Sequence, residues 1–148
     1  MITRTGLLGV ALAGMLVGCA GAAGEREALT ISLKGEQQNA GSIAQASLVA
    51  RGEVTDITYL IGSVPIGVSR PLQLYTFIYS GSCAQLSAEP AYSTNNTTQA
   101  TPTESGWMLS REVPVALGDL RSEPHALVVR TSPADGSTDI FCGDIREQ

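Results

Sequence analysis

Short apolar runs at period two, broken repeatedly by Gly, Pro, Asn and Ser, set the fold class of this 148-residue chain. Leu29, Ile31 and Leu33 alternate with polar residues, the pattern of a half-buried strand. Ala46, Leu48 and Ala50 repeat it, and Gly52-Glu53 turns the chain into a run from Val54 to Ile61. Residues 62–71, rich in Gly and Pro, read as a loop. Leu72 to Tyr79 is dense in aromatic and branched aliphatic residues, which suit a pleated surface, and Ser80-Gly81-Ser82 ends it. Strands are expected again over 107–115, 126–131 and 139–145, with a helical turn in 116–123 and a tight turn at 132–137. Residues 83–106 are polar and show no strand pattern, so they read as a long functional or mobile loop. Seven or eight short strands without helical periodicity predict an all-β antiparallel sandwich or barrel.

The N-terminus is of another kind. One basic residue, Arg4, precedes an apolar run from Gly6 to Gly18. That run is short of the roughly 20 residues a bilayer core requires. A basic start and a short apolar stretch are the pattern of a secretory signal. Leu16-Val17-Gly18-Cys19 resembles the bacterial lipobox, where cleavage precedes a cysteine that then carries diacylglycerol. The resemblance implies a signal peptide over 1–18, a tether over 19–27 with acyl (palmitate) chains on Cys19, and one domain over 28–148. Ala20, in place of Asp, favours the outer membrane, facing the periplasm. All fourteen acidic residues follow Cys19, as do all nine basic ones except Arg4, which leaves the mature chain acidic. An acidic domain without a Lys/Arg cluster argues against nucleic acid and against electrostatic adhesion to lipid. The lipid itself is then the membrane contact.

Three cysteines less the lipidated one leave Cys83 and Cys142. In an oxidising compartment these two are expected to join. The loop they close, about 60 residues, corresponds to about 4 kcal/mol on the chain-entropy model.

The two segments that carry these cysteines resemble the copper/zinc superoxide dismutase family. Phe77-Ile78-Tyr79-Ser80-Gly81-Ser82-Cys83 is similar to the family strand that reads His-x-His, then Gly, then the disulfide cysteine. Leu127-Val128-Val129-Arg130, then Asp135, then Phe141-Cys142-Gly143-Asp144-Ile145 is similar to its closing segment. The resemblance implies a Greek-key β-sandwich and the bond Cys83–Cys142. The departures bear on activity. Phe77 and Tyr79 stand at the His-x-His positions, and Arg130 stands where the closing copper ligand would be. The 83–106 segment, where the family keeps further imidazoles, has no His. Copper and zinc need nitrogen, sulfur or oxygen donors, and a guanidinium is a fixed cation. His125 and Met108 are too few to rebuild a site, and Met15 leaves with the signal peptide. No metal, cofactor or dismutation is therefore expected. No Gly-x-Ser-x-Gly motif accompanies His125, so a catalytic triad is not expected either.

Alternation on the 72–79 strand places Leu74, Thr76 and Ile78 on one face and Tyr75, Phe77 and Tyr79 on the other. With Ile78 inward, the three rings point outward beside Arg130. Aromatics with an Arg make a candidate protein-binding surface. The competing expectation is that the 84–106 segment folds over the row as a second small core, helped by Trp107 or Tyr92. The reading is a non-enzymatic binding or structural domain on a membrane anchor. Its rivals are a divergent dismutase or copper handler and a periplasmic inhibitor or adaptor.

Overall fold

The computed structural model describes residues 26–146. The proposed signal peptide, the lipidated Cys19 and most of the tether lie outside the described residues. The fold is all-β: one antiparallel sheet of nine strands, curled into a half-barrel. In chain order the strands are β1 (Ala28–Gly35), β2 (Ile43–Arg51), β3 (Val54–Ile61), β4 (Leu74–Ser82), β5 (Gln85–Ser93), β6 (Thr101–Thr103), β7 (Gly106–Val113), β8 (His125–Thr131) and β9 (Asp139–Asp144). A short α-helix, α1 (Leu117–Ser122), precedes β8 and buries Leu117 and Leu120, which lie one turn apart on one helix face. Across the sheet the order is β5-β4-β8-β9-β1-β2-β3-β7-β6.

Alternation builds the interior. Leu29, Ile31 and Leu33 on β1 face the same side as Ala44, Ala46 and Leu48 on β2, with Ile31 opposite Ala46. Ile57, Tyr59 and Ile61 on β3, Leu74 and Ile78 on β4, and Leu127 and Val129 on β8 complete the wall. Side chains of this size each contribute about 1.5–3 kcal/mol when fully buried.

Two expectations about strands are corrected. The described residues form nine strands, one only three residues long, and the 83–106 stretch is not structureless. β5 lies within it because an edge strand with one partner has little to bury. Only Leu86, Pro90 and Tyr92 on β5 are even half-buried, and the other six residues are exposed. Pro90 and Glu89 belong on such an edge, where a missing N–H costs no ladder bond and charge discourages further pairing. β4 also runs past Ser80-Gly81, out to Ser82. Gly81 has φ +97°, and a Cβ there would collide with the carbonyl of Gln85, so only glycine suits the entry to β5.

Candidate functional site

The outer face of β4 carries the expected row. Tyr75, Phe77 and Tyr79 alternate with the inward Leu74, Thr76 and Ile78. Register sets Arg130 opposite Tyr75, Val128 opposite Phe77 and Ala126 opposite Tyr79. Arg130 leans along the sheet. Its Nε donates to Oδ1 of Asp139 at 2.6 Å, and its Nη2 donates to the Tyr79 hydroxyl at 3.0 Å. Its guanidinium carbon lies 4.6 Å from the Phe77 ring centre. The Phe77 and Tyr79 rings are 6.2 Å apart and tilted by 55°. The Asp139 hydrogen bond, then the one to Tyr79, hold Arg130 above the usual guanidinium pKa against the opposing effect of partial burial.

This row is partly closed over. Tyr79, Ala126, Val128 and Cys142 form a small second core, with Phe77, Cys83 and Leu86 packed against it. Tyr79 is only 6% exposed. The cover comes from the turn after β4: Cys83 is disulfide-bonded to Cys142, with Cα atoms 5.9 Å apart. The backbone N–H of Cys83 donates to Oδ1 of Asp144 at 2.7 Å, and that of Gly81 to the carbonyl of Pro124 at 2.9 Å. Leu86 is the contribution of β5. Trp107 and Tyr92, expected to help as a lid, instead pack on the main core. Tyr92 stands opposite Ile78 and Trp107 opposite Ile61, and both partners face inward. The Trp107 ring takes the Arg70 guanidinium at 5.0 Å.

His125 begins β8, half-buried. Its Nδ1 lies 3.1 Å from the carbonyl of Leu120 and 3.0 Å from that of Glu123. Carbonyls only accept, so Nδ1 carries the hydrogen and closes the end of α1. Met108 is half-buried on β7, and Met15 lies outside the described residues. Among the described residues no three of His, Cys, Asp and Glu converge as a metal-binding group.

A second site has no counterpart in the expectations. The half-barrel is left unzipped along one seam. β6 pairs with β7 only at Gly106, Trp107 and Met108, and beyond them no strand among the described residues lies on the far side of β7. The segment 94–100 stays with β4: the Thr94 N–H bonds the Thr76 carbonyl, Leu74 N–H that of Thr98, and Ala100 N–H that of Leu72. A cleft of about 490 Å³ opens between that segment and β7, lined by Asp56, Thr58, Thr94, Thr97, Ser110 and Arg111 among others.

Arg111 sits in the inward phase of β7, with Leu109 and Val113, and is 8% exposed. Its Nε donates to Thr76 Oγ1 at 3.0 Å, Nη1 to the Ser110 carbonyl at 3.0 Å and Nη2 to the Leu74 carbonyl at 3.1 Å. Thr76 Oγ1 and Thr94 Oγ1 share a further hydrogen bond of 2.9 Å. All of these partners of Arg111 are neutral, and burial lowers its pKa from the usual guanidinium range. Tyr59 is fully buried near Arg111 and Thr76. Its hydroxyl makes no hydrogen bond of ordinary geometry among the described residues, and desolvation raises its pKa. At the rim, Arg51 binds Asp56 at 2.9 Å and also pairs with Glu112. The Arg51 hydrogen bond is the main cause of the lowered Asp56 pKa, and Arg26 adds to it. The sequence did hold a signal for this site: Arg111 is a charge in the apolar phase of Leu109 and Val113.

No protein-family model, curated protein or solved structure matches the chain.

Proposed function

We propose that the chain is an envelope lipoprotein, anchored through acyl chains on Cys19 in the outer membrane and facing the periplasm. Its β-domain is non-enzymatic, a binding or structural module with a degenerate metal face. The observation that carries this reading is the packing of Arg130 against Asp139, Tyr79 and Phe77, on the face where the dismutase-like likeness calls for imidazoles. That face is spent on holding the fold together. A fixed cation occupies it, locked to a carboxylate and two rings, and the disulfide turn covers it.

The finer reading of the fold is a Greek-key sandwich. Two crossings support it: β3 and β7 are neighbours, while the strands that follow them, β4 and β8, pair with each other on the other side of the sheet. β9 closes beside β1. The bond between Cys83 and Cys142 is the one the likeness implies.

Intact mass of the chain recovered from membranes tests the anchor. Cleavage before Cys19, with added acyl mass, is expected; an unmodified Cys19 in the soluble fraction overturns it. Refolding with copper and zinc tests the rest. Stoichiometric metal that disappears in a His125→Ala variant would revive the metal-handling alternative.

A further inference from the structure

We propose that the seam cleft binds a small organic monoanion through its carboxylate, with Arg111 as the binding group. This site lies at the open edge of β7, with Arg111 reaching it from the inward phase and Thr58 and Ser110 from the outward one. It is apart from the Arg130 face and does not depend on how that face is used. Buried cations are ordinarily paired, because an isolated charge in a low-dielectric interior costs several kcal/mol. Arg111 is 92% buried, and its three hydrogen bonds among the described residues go to a hydroxyl and two carbonyls. A guanidinium has five N–H groups. Nη1 and Nη2 each make one of those bonds, so each keeps one N–H. A pair of N–H groups on neighbouring terminal nitrogens matches the two oxygens of a carboxylate.

The cleft that Arg111 lines is of small-molecule size. Its other walls offer hydroxyls from Thr58, Thr97 and Ser110, suited to a hydroxylated ligand. The rim sets the charge. Asp56 and Glu112 together face one guanidinium, Arg51, with Arg26 acting on Asp56 from further off. Such a rim does not draw in polyanions, and it repels a phosphate dianion more than a singly charged carboxylate. Glycolate and galacturonate are therefore the probes, with phosphate and chloride as controls.

The test is thermal shift and calorimetric titration of the full chain in detergent at neutral pH and matched ionic strength. A saturable rise in Tm is expected with galacturonate and glycolate but not with chloride, and phosphate binds at least about tenfold more weakly. Arg111→Lys, which keeps the charge but loses the paired donors, weakens binding about tenfold or more, and Arg111→Met removes it. Thr58→Phe, which fills the cleft from a half-buried position and leaves Arg111 in place, removes binding while the circular dichroism stays unchanged. It decides the matter should the Arg111 variants fail to fold. Equal stabilisation by all four anions, a rise that persists in Arg111→Met or in Thr58→Phe, or no rise up to about 10 mM, each overturns the proposal and leaves Arg111 as an internal strut.

Discussion

The Nη2 of Arg111 on β7 lies 3.1 Å from the carbonyl oxygen of Leu74 on β4, a bond between two strands that share no ladder. Truncation should therefore cost more than a surface arginine would. Arg111→Ala is expected to destabilise the domain by about 2–4 kcal/mol, since it strands a buried carbonyl and leaves space in the core. Arg111→Met, which keeps most of the volume, is expected to cost about 1–2 kcal/mol. Urea unfolding followed by circular dichroism measures both, and equal costs would assign the effect to hydrogen bonding alone.

Removing the disulfide tests the cover on the outer face. The Cys83→Ala/Cys142→Ala double variant should lose about 4 kcal/mol, or about 10 °C or more in Tm. Phe77 and Tyr79 should become more accessible along with it, because the turn that carries Cys83 is what closes over them. A reductant titration of the native chain that leaves Tm unchanged would show that the bond is not under the cover's stability at all.

Tyr79 and Arg130 should be energetically coupled. Tyr79→Phe removes the hydroxyl that accepts from Arg130 and is expected to cost about 1 kcal/mol. Arg130→Ala loses the ring contact and the Asp139 pair, expected at about 1–2 kcal/mol because the ion pair is partly exposed. A double-mutant cycle should show coupling of about 0.5 kcal/mol or more. Simple additivity would mean that the observed contact has no energetic weight.

Acid should loosen the contact between the 62–71 loop and the 132–137 turn. Oδ1 of Asp135 accepts from the backbone N–H of Ser69 at 2.9 Å and from its hydroxyl at 2.7 Å, and Oδ2 accepts from Ser132. The Ser69 bonds hold the Asp135 carboxyl below its ordinary pKa. A depressed folded-state pKa means the contribution is complete above about pH 3.9, the unfolded value, and is lost as pH falls through the lowered one. Ser69→Ala should move the Asp135 pKa, followed by carboxyl NMR, up toward the ordinary value. No movement would show that the Ser69 hydroxyl bond is not its main cause, since the backbone N–H bond survives the substitution.

Much of the sheet was legible because burial on one side forces period two. Leu29-Ile31-Leu33 and Leu74-Thr76-Ile78 face the side their alternation assigns. The Cys83–Cys142 bond followed from counting. β5 was hidden for a physical reason: an edge strand wetted on most of its surface shows almost no alternation, and Pro90 argues against a strand unless its outer edge is known to be free. Tyr92 and Trp107 do not form the expected lid. Their register, opposite Ile78 and Ile61, turns both inward. The phase of Arg111 marks it in the sequence, but what it reaches on β4 depends on how the sheet curls.

The wall has the form of a C with its lips zipped at one end. Where Thr101 meets Met108 the two lips are joined by main-chain bonds, and from there toward Val113 they part. Spreading the open end breaks none of the ladders that build the wall. What opposes it includes a clasp, one guanidinium hooked on Leu74 and Thr76. A wall built this way yields by flexing at the gape while its strands stay paired, so amide exchange along Ser110–Glu112 should run ahead of exchange in β1 and β2.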